Sequence, residues 1–198
     1  MIRNLIFDFG KVLVDYEFDI LDTLFDDAEE CARFKSVVCA PEFVAKCDLE
    51  AIPYRRIIDE LKQQYPEWER ELDFFRDHQI DLITGEVPGM RELIIRWKAA
   101  GYHVYGLTNW SSKVYEVMEK YDICSLLEDR IVSSEEGCIK PDHAIYERLL
   151  EKFGLVAEEC VFTDDREDNV QGAREVGMHA IVFKNAEQLE QELRNYTT

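Results

Sequence analysis

Four places in this 198-residue chain hold side chains of types that could do chemistry: Asp8, the pair Thr108-Asn109, Lys140, and the pair Asp164-Asp165. The three carboxylates are hard oxygen donors suited to Mg²⁺, while Lys140 offers a cation and Thr108 a hydroxyl, both suited to a phosphate. Together they describe transfer of a phosphoryl group. Taken singly, each has a plainer structural explanation. Asp8 could be a turn residue, and Thr108-Asn109-Trp110-Ser111-Ser112 could cap a helix. Lys140-Pro141-Asp142 reads equally as a helix entrance with proline in the first turn, and Asp164, Asp165, Glu167 and Asp168 as favourable charges at a helix N-terminus. What outweighs these explanations is where the four places fall along the chain.

Each follows an apolar run of strand character. Residues 3–8 form a run that ends in Asp8-Phe9-Gly10, as a strand buried on both faces would. Further strands are expected at residues 102–107, 130–132, 160–163 and 179–183. Helices are expected at residues 90–100, closed by Gly101, and at 112–121, 144–153 and 186–196. Alternation of this kind predicts a Rossmann-like, doubly wound α/β fold with a parallel sheet, whose sites lie beyond the carboxyl ends of the strands. One sheet edge would then collect Asp8, Thr108, Lys140, Asp164 and Asp165. Residues 17–84 interrupt the alternation with helical spacing alone, as in Tyr54, Ile57, Ile58 and Leu61. The chain is therefore divided into a catalytic core, 1–16 and 85–198, and a helical insert, 17–84, with joints near Tyr16 and Gly85.

Composition limits the partners. With 42 acidic against 23 basic residues the net charge is −19, which repels a nucleic-acid backbone, and no apolar stretch is long enough to cross a bilayer. The N-terminus meets Asp8 before any export signal develops, and the six cysteines form no C-x-x-C pair, so the expected location is the cytoplasm with reduced thiols. An acidic protein that binds a small anion needs local cations, backbone amides or a metal, which returns attention to the strand ends. Oligomeric state, monomer or homodimer, is left open.

In order and spacing the motifs resemble the haloacid dehalogenase superfamily along essentially the whole chain. The first is similar to Ile6-Phe7-Asp8-Phe9-Gly10-Lys11-Val12-Leu13-Val14-Asp15, the second to Leu107-Thr108-Asn109, the third to Lys140-Pro141-Asp142, and the fourth to Phe162-Thr163-Asp164-Asp165 continuing through Asn169, Ala173 and Gly177-Met178. The insert resembles the helical C1 cap of that superfamily. The resemblance implies a five-stranded core of order 5-4-1-2-3 and a mobile cap closing over the substrate. It implies that Asp8 attacks phosphorus to form an aspartyl-phosphate. Mg²⁺ would be held by Asp8, the Gly10 carbonyl and Asp165, with Asp164 direct or through water. Lys140, Thr108 and Asn109 would hold the phosphate, and Asp15 would support the loop.

One position departs from the usual phosphatase pattern. Gly10 stands where a second aspartate commonly protonates the leaving group, a contribution of about 10²- to 10⁴-fold. A subgroup similar to bacterial sugar-phosphate phosphatases, including glucose-1-phosphate phosphatase, carries the same Asp-x-Gly-x-Val pattern. The expected substrate is accordingly a small phosphorylated metabolite, with sugar phosphates the nominated class and good leaving groups favoured. The alternatives are a 2-haloacid dehalogenase using Asp8 on carbon, disfavoured by Asp164-Asp165, and a catalytically impaired phosphometabolite-binding protein, motivated by Gly10. Tyr54, Tyr65, Trp68, Phe74 and Phe75 are assigned to the core of the insert rather than to a substrate pocket.

Overall fold

The computed structural model describes residues 1–196. Strand β1 (Asn4–Phe7) is buried along its whole length. It pairs in parallel with β4 (His103–Thr108) on one side and β6 (Cys160–Asp164) on the other, and β5 (Asp129–Val132) and β7 (His179–Val182) complete the sheet. The order is β5-β4-β1-β6-β7. Counting only these five, it reads 5-4-1-2-3 from the β7 edge. Succession runs outward from β1 in both directions, so the switch point of the fold, and the crevice that goes with it, falls at the carboxyl end of β1.

Side chains alternate across the sheet as the two-residue strand period requires. Leu5 and Phe7 join one apolar cluster and Ile6 the other. The first cluster is closed by α5 (Met90–Ala99), α6 (Val114–Lys120) and α10 (Ala186–Tyr196), the second by α8 (His143–Phe153) and α9 (Glu167–Glu175). A further short helix, α7 (Ser133–Glu136), follows β5 directly.

Between residues 17 and 82 lie α1 (Ala28–Val38), α2 (Pro41–Leu49), α3 (Tyr54–Gln64) and α4 (Glu69–Asp77), around a third apolar cluster of their own. Tyr54, Ile57, Ile58 and Leu61 line one face of α3 and are buried there, and Trp68 sits edge-on to Phe34 with ring centroids 5.4 Å apart. Tyr54, Trp68 and Phe75 are thus packing residues.

One feature differs from the sequence-based expectation. The chain leaves and re-enters the core through a two-stranded antiparallel ribbon, β2 (Val14–Tyr16) against β3 (Ile83–Glu86). Residues 83–86 contain Gly85 and lack the alternation that marks a strand, and their partner lies about seventy positions earlier, so nothing local announces the pairing.

Candidate active site

The sheet register assembles the site floor. Phe7 lies opposite Gly106 and Thr163 in the two adjoining ladders, so the chain ends its strands nearly in step and presents Asp8, Thr108 and Asp164 side by side. The Asp8 amide donates to Thr163 O at 2.9 Å, which carries the β1–β6 ladder one residue further and fixes where the carboxylate emerges. Asp8 is 9% exposed and Asp164 is wholly buried.

Lys140 reaches this floor from the loop after α7. Its ammonium contacts Asp8 Oδ1 at 2.9 Å, Asp164 Oδ2 at 2.6 Å and the Leu107 carbonyl at 3.0 Å. Three acceptors match the three N–H donors of an ammonium, which is how a lysine 2% exposed is kept charged. Burial alone would lower its pKa; Asp164 and Asp8 more than reverse this and raise it. Asn109 holds the same lysine by its backbone, donating from Nδ2 to Lys140 O (2.9 Å) and accepting at Oδ1 from Lys140 N (2.8 Å). Its side chain is therefore turned to Lys140.

Asp164 receives two hydrogen bonds from Asn169 Nδ2, at 3.0 and 3.1 Å, and one at 2.9 Å from the Arg166 amide, besides the Lys140 contact. Both of its oxygens are occupied by donors. Asp165, next along, is exposed. One oxygen from each of Asp8, Asp164 and Asp165 falls within 4.8 Å of the others. Three carboxylates against one ammonium leave the ionised group at −2, a charge and donor set that fit one hard divalent cation. Burial pushes the Asp8 carboxyl up to about 7, Asp164 adds to the rise and Lys140 opposes it, so the floor on its own resists carrying its full negative charge.

Thr108 Oγ1 is buried and has no hydrogen-bond partner among the described residues. A buried orphaned hydroxyl costs about 1–3 kcal/mol, so its presence at the same sheet edge as Asp8 and Lys140 fits an acceptor-rich ligand such as phosphate.

Gly10 lies in the tight loop after β1. A Cβ placed on it would meet Tyr16 Cε1 at 3.2 Å and Trp110 Cζ3 at 3.8 Å, so two aromatic rings flank the place where a side chain would begin. Asp15 accepts from Lys11 Nζ (2.6 Å) and from the Tyr16 amide (2.9 Å), bracing the loop from outside the floor. The helical segment reaches the same sheet edge: Ser133 Oγ donates to the Asp48 carbonyl at the end of α2 (2.6 Å), and Glu50 accepts from Ser112 N (2.6 Å) and Ser112 Oγ (2.9 Å).

A model of haloacid dehalogenase-like hydrolases matches residues 2–177. The chain belongs to this family of hydrolases. Among its relatives, D-ribitol-5-phosphate phosphatase of Bacteroides thetaiotaomicron is 24% identical over 98% of this chain and 97% of that protein. Glyceraldehyde 3-phosphate phosphatase of Pyrococcus abyssi is 34% identical over half of this chain, a match that takes in 42% of the Pyrococcus protein. The chain thus spans under half of the one and nearly all of the other. A HAD family enzyme from Bacteroides thetaiotaomicron, solved with magnesium and inorganic phosphate, superposes with a TM-score of 0.73 over 93% of this chain and 96% of that one, at 20% identity. A dehalogenase superposes at 0.69 over 90% and 83%, at 15% identity. These two likenesses concern the fold, which this hydrolase shares with both. Among the described residues of this hydrolase, no helix is long and apolar enough to cross a membrane.

Motifs in the sequence point to Asp8, Thr108, Lys140 and the two aspartates because each ends or follows a strand. They do not point to Asn169 as a partner of Asp164, to Tyr16 beside Gly10, or to Asp48 at the edge of the site. The last two come from outside the strand-end motifs and meet the site only through the fold.

Proposed function

We propose that this hydrolase is a Mg²⁺-dependent phosphatase that splits a small phosphorylated metabolite, of the sugar-phosphate class, through an aspartyl-phosphate on Asp8. The observation that carries the reading is the buried Thr108 hydroxyl, unpartnered among the described residues, at the end of the strand next to Asp8, since a phosphate supplies the acceptor it lacks and the nearby Lys140 charge favours an anion. Phosphatases among the relatives that act on phosphorylated sugars or polyols support the substrate class, and magnesium in a solved neighbour supports the metal.

Asp8, the Gly10 carbonyl and Asp165 would hold the ion, with Asp164, already engaged in four donor contacts, acting through water. When bound there, Mg²⁺ would supply the charge that lets an anionic nucleophile meet an anionic ester. Asp8 Oδ would attack phosphorus in line with the departing oxygen, and water would afterwards hydrolyse the acyl phosphate. Lys140 would hold Asp8 in place and balance the equatorial oxygens, with Thr108 and the Asn109 backbone amide as further donors. Helices α1 to α4 would act as a cap that excludes water and selects the substrate. Six free thiols suit a reducing compartment such as the cytoplasm.

The test is a panel of phosphorylated metabolites and a 2-haloacid, each assayed with and without Mg²⁺. Phosphate release that requires the metal is expected. Halide release without metal would favour the dehalogenase reading. Binding of inorganic phosphate without turnover of any ester would leave a binding protein.

A further inference from the structure

Gly10 removes the usual proton donor from the floor, and the phosphatase reading, on which this inference rests, leaves the departing oxygen to be protonated from elsewhere. In an in-line displacement, the nucleophile and leaving group lie on opposite sides of phosphorus. Asp8 attacks from the sheet edge, so the leaving oxygen points away from the sheet, toward whatever covers it. α2 reaches over that edge. Ser133, the first residue after β5, donates from Oγ to the Asp48 carbonyl at 2.6 Å, and the same Oγ accepts from the Trp110 amide, just beyond β4, at 2.9 Å. A single hydroxyl therefore ties the Asp48 backbone to residues that follow two adjacent core strands.

The Asp48 carboxyl is half-buried and, among the described residues, accepts no hydrogen bond and joins no ion pair. The cations that act on it are Lys140 and Arg166. Lys140 contacts Asp8 and Asp164, and the Arg166 amide donates to Asp164, so both belong to the floor. From β2, Tyr16 feels Asp165, Asp8 and Asp48 together, and its ring stands 3.2 Å from the point where a Gly10 Cβ would be. Groups on the loop after α7, the loop after β6 and β2 thus lie within electrostatic range of the Asp48 carboxyl, whose backbone the Ser133 hydroxyl holds at the ends of β4 and β5. From its own helix and from α3, Cys47 and Tyr54 face it, and burial keeps both neutral, with Cys47 pushed up to about 12 and Tyr54 raised further.

We propose that Asp48, carried by the helical segment, is the general acid and base that the Gly10 position lacks. In the first step the bond from Asp8 Oδ to phosphorus forms and the bond from phosphorus to the ester oxygen breaks. The Asp48 carboxyl gives its proton to that oxygen, releasing an alcohol and leaving a carboxylate. In the second step a water oxygen attacks phosphorus and its proton passes to Asp48. The acyl phosphate bond breaks, freeing phosphate and regenerating ionised Asp8 and protonated Asp48. Burial raises the Asp48 carboxyl to about 7 against the pull of Lys140 and Arg166, so a large fraction carries the proton at neutral pH. Supply of that proton fails as pH rises through this value.

The experiment measures kcat/KM with Mg²⁺ on aryl, acyl and alkyl phosphates of graded leaving-group pKa, for wild type, Asp48→Asn and Tyr16→Phe. Asp48→Asn should lose about 10²- to 10³-fold on alkyl phosphates and less than about 10-fold on a nitrophenyl phosphate, whose leaving oxygen needs no proton. With the alkyl ester, the wild-type fall in kcat/KM above pH about 7 should vanish in the variant. Retained affinity for inorganic phosphate with Mg²⁺, measured by calorimetry, is the check that the variant is folded. Equal losses on every ester, or no loss, would overturn the inference while leaving the phosphatase reading intact. A steep leaving-group dependence appearing in Tyr16→Phe instead of Asp48→Asn would move the proton to the phenol and also overturn it. Failure of wild type to hydrolyse any ester would sink the underlying reading, and the inference with it.

Discussion

The floor of the site and the helices above it are built to opposite specifications. On the floor, Lys140 has three acceptors, Asp164 has four donor contacts, and both are nearly or wholly buried. Above it, α2 meets the core through Ser133 to Asp48 and Ser112 to Glu50, the second pair exposed to solvent. Glu50 also holds a left-handed backbone at φ 43°, unusual for a glutamate, and its carboxylate accepts from the Tyr54 amide at 3.1 Å. The difference teaches a division of labour. The floor groups are over-determined by buried polar contacts, whereas α2, which on the proposed reading belongs to a cap that admits substrate, meets the core partly through exposed contacts that water can replace.

The comparison breaks most severely if the nucleophile is misassigned. Asp8→Asn removes the attacking carboxylate and should lower phosphate release by about 10⁴-fold or more, read as single-turnover phosphate formation. Activity within tenfold of wild type would place the nucleophile elsewhere.

A test of the floor alone is Lys140→Met, which fills similar space but leaves two buried carboxylates without their cation. It should cost about 3 kcal/mol in urea unfolding, less whatever protonation of the carboxylates recovers. A cost under about 1 kcal/mol would mean that the floor is less tightly coupled than its geometry implies.

Restoring a carboxyl at the glycine is gentler but not free. Gly10→Asp must displace the Tyr16 ring from 3.2 Å, so a loss of about 1–2 kcal/mol is expected. The double variant with Tyr16→Ala should recover much of that strain. Equal unfolding free energies for wild type and Gly10→Asp would mean that the ring gives way readily.

The smallest effect is expected at the attachment. Glu50→Gly accepts the same backbone without strain and deletes the bonds to Ser112, so global stability should stay within about 0.5 kcal/mol of wild type. Amide exchange in α2 should nevertheless quicken while β1, β4 and β6 are unchanged. Uniform exchange throughout the molecule would erase the contrast between floor and cover.

Much of the core was legible because its signals are local. An apolar run ending in Asp8 is both strand and candidate site, and the same holds for Leu107-Thr108 and Phe162-Thr163-Asp164. The helices at the insert declared themselves through spacing such as Tyr54, Ile57, Ile58 and Leu61. β2 and β3 did not, because three- and four-residue strands acquire their identity from a partner about seventy residues away. Asn109 shows an intermediate case: its place after β4 was readable, but that its side chain would clasp the Lys140 backbone was not.

By itself the sequence determined the parallel α/β core, the strand ends at which Asp8, Thr108, Lys140 and Asp164 gather, and the absence of a carboxyl at position 10, since each depends on residue type and near neighbours. Only the tertiary structure decided that Lys140 is shared between Asp8 and Asp164, that Thr108 Oγ1 is left without a partner among the described residues, and that the Asp48 backbone is tied to Ser133 after β5. The physical reason is that ionisation and hydrogen-bond satisfaction are set by burial and by charges brought close through space, which no spacing along the chain encodes.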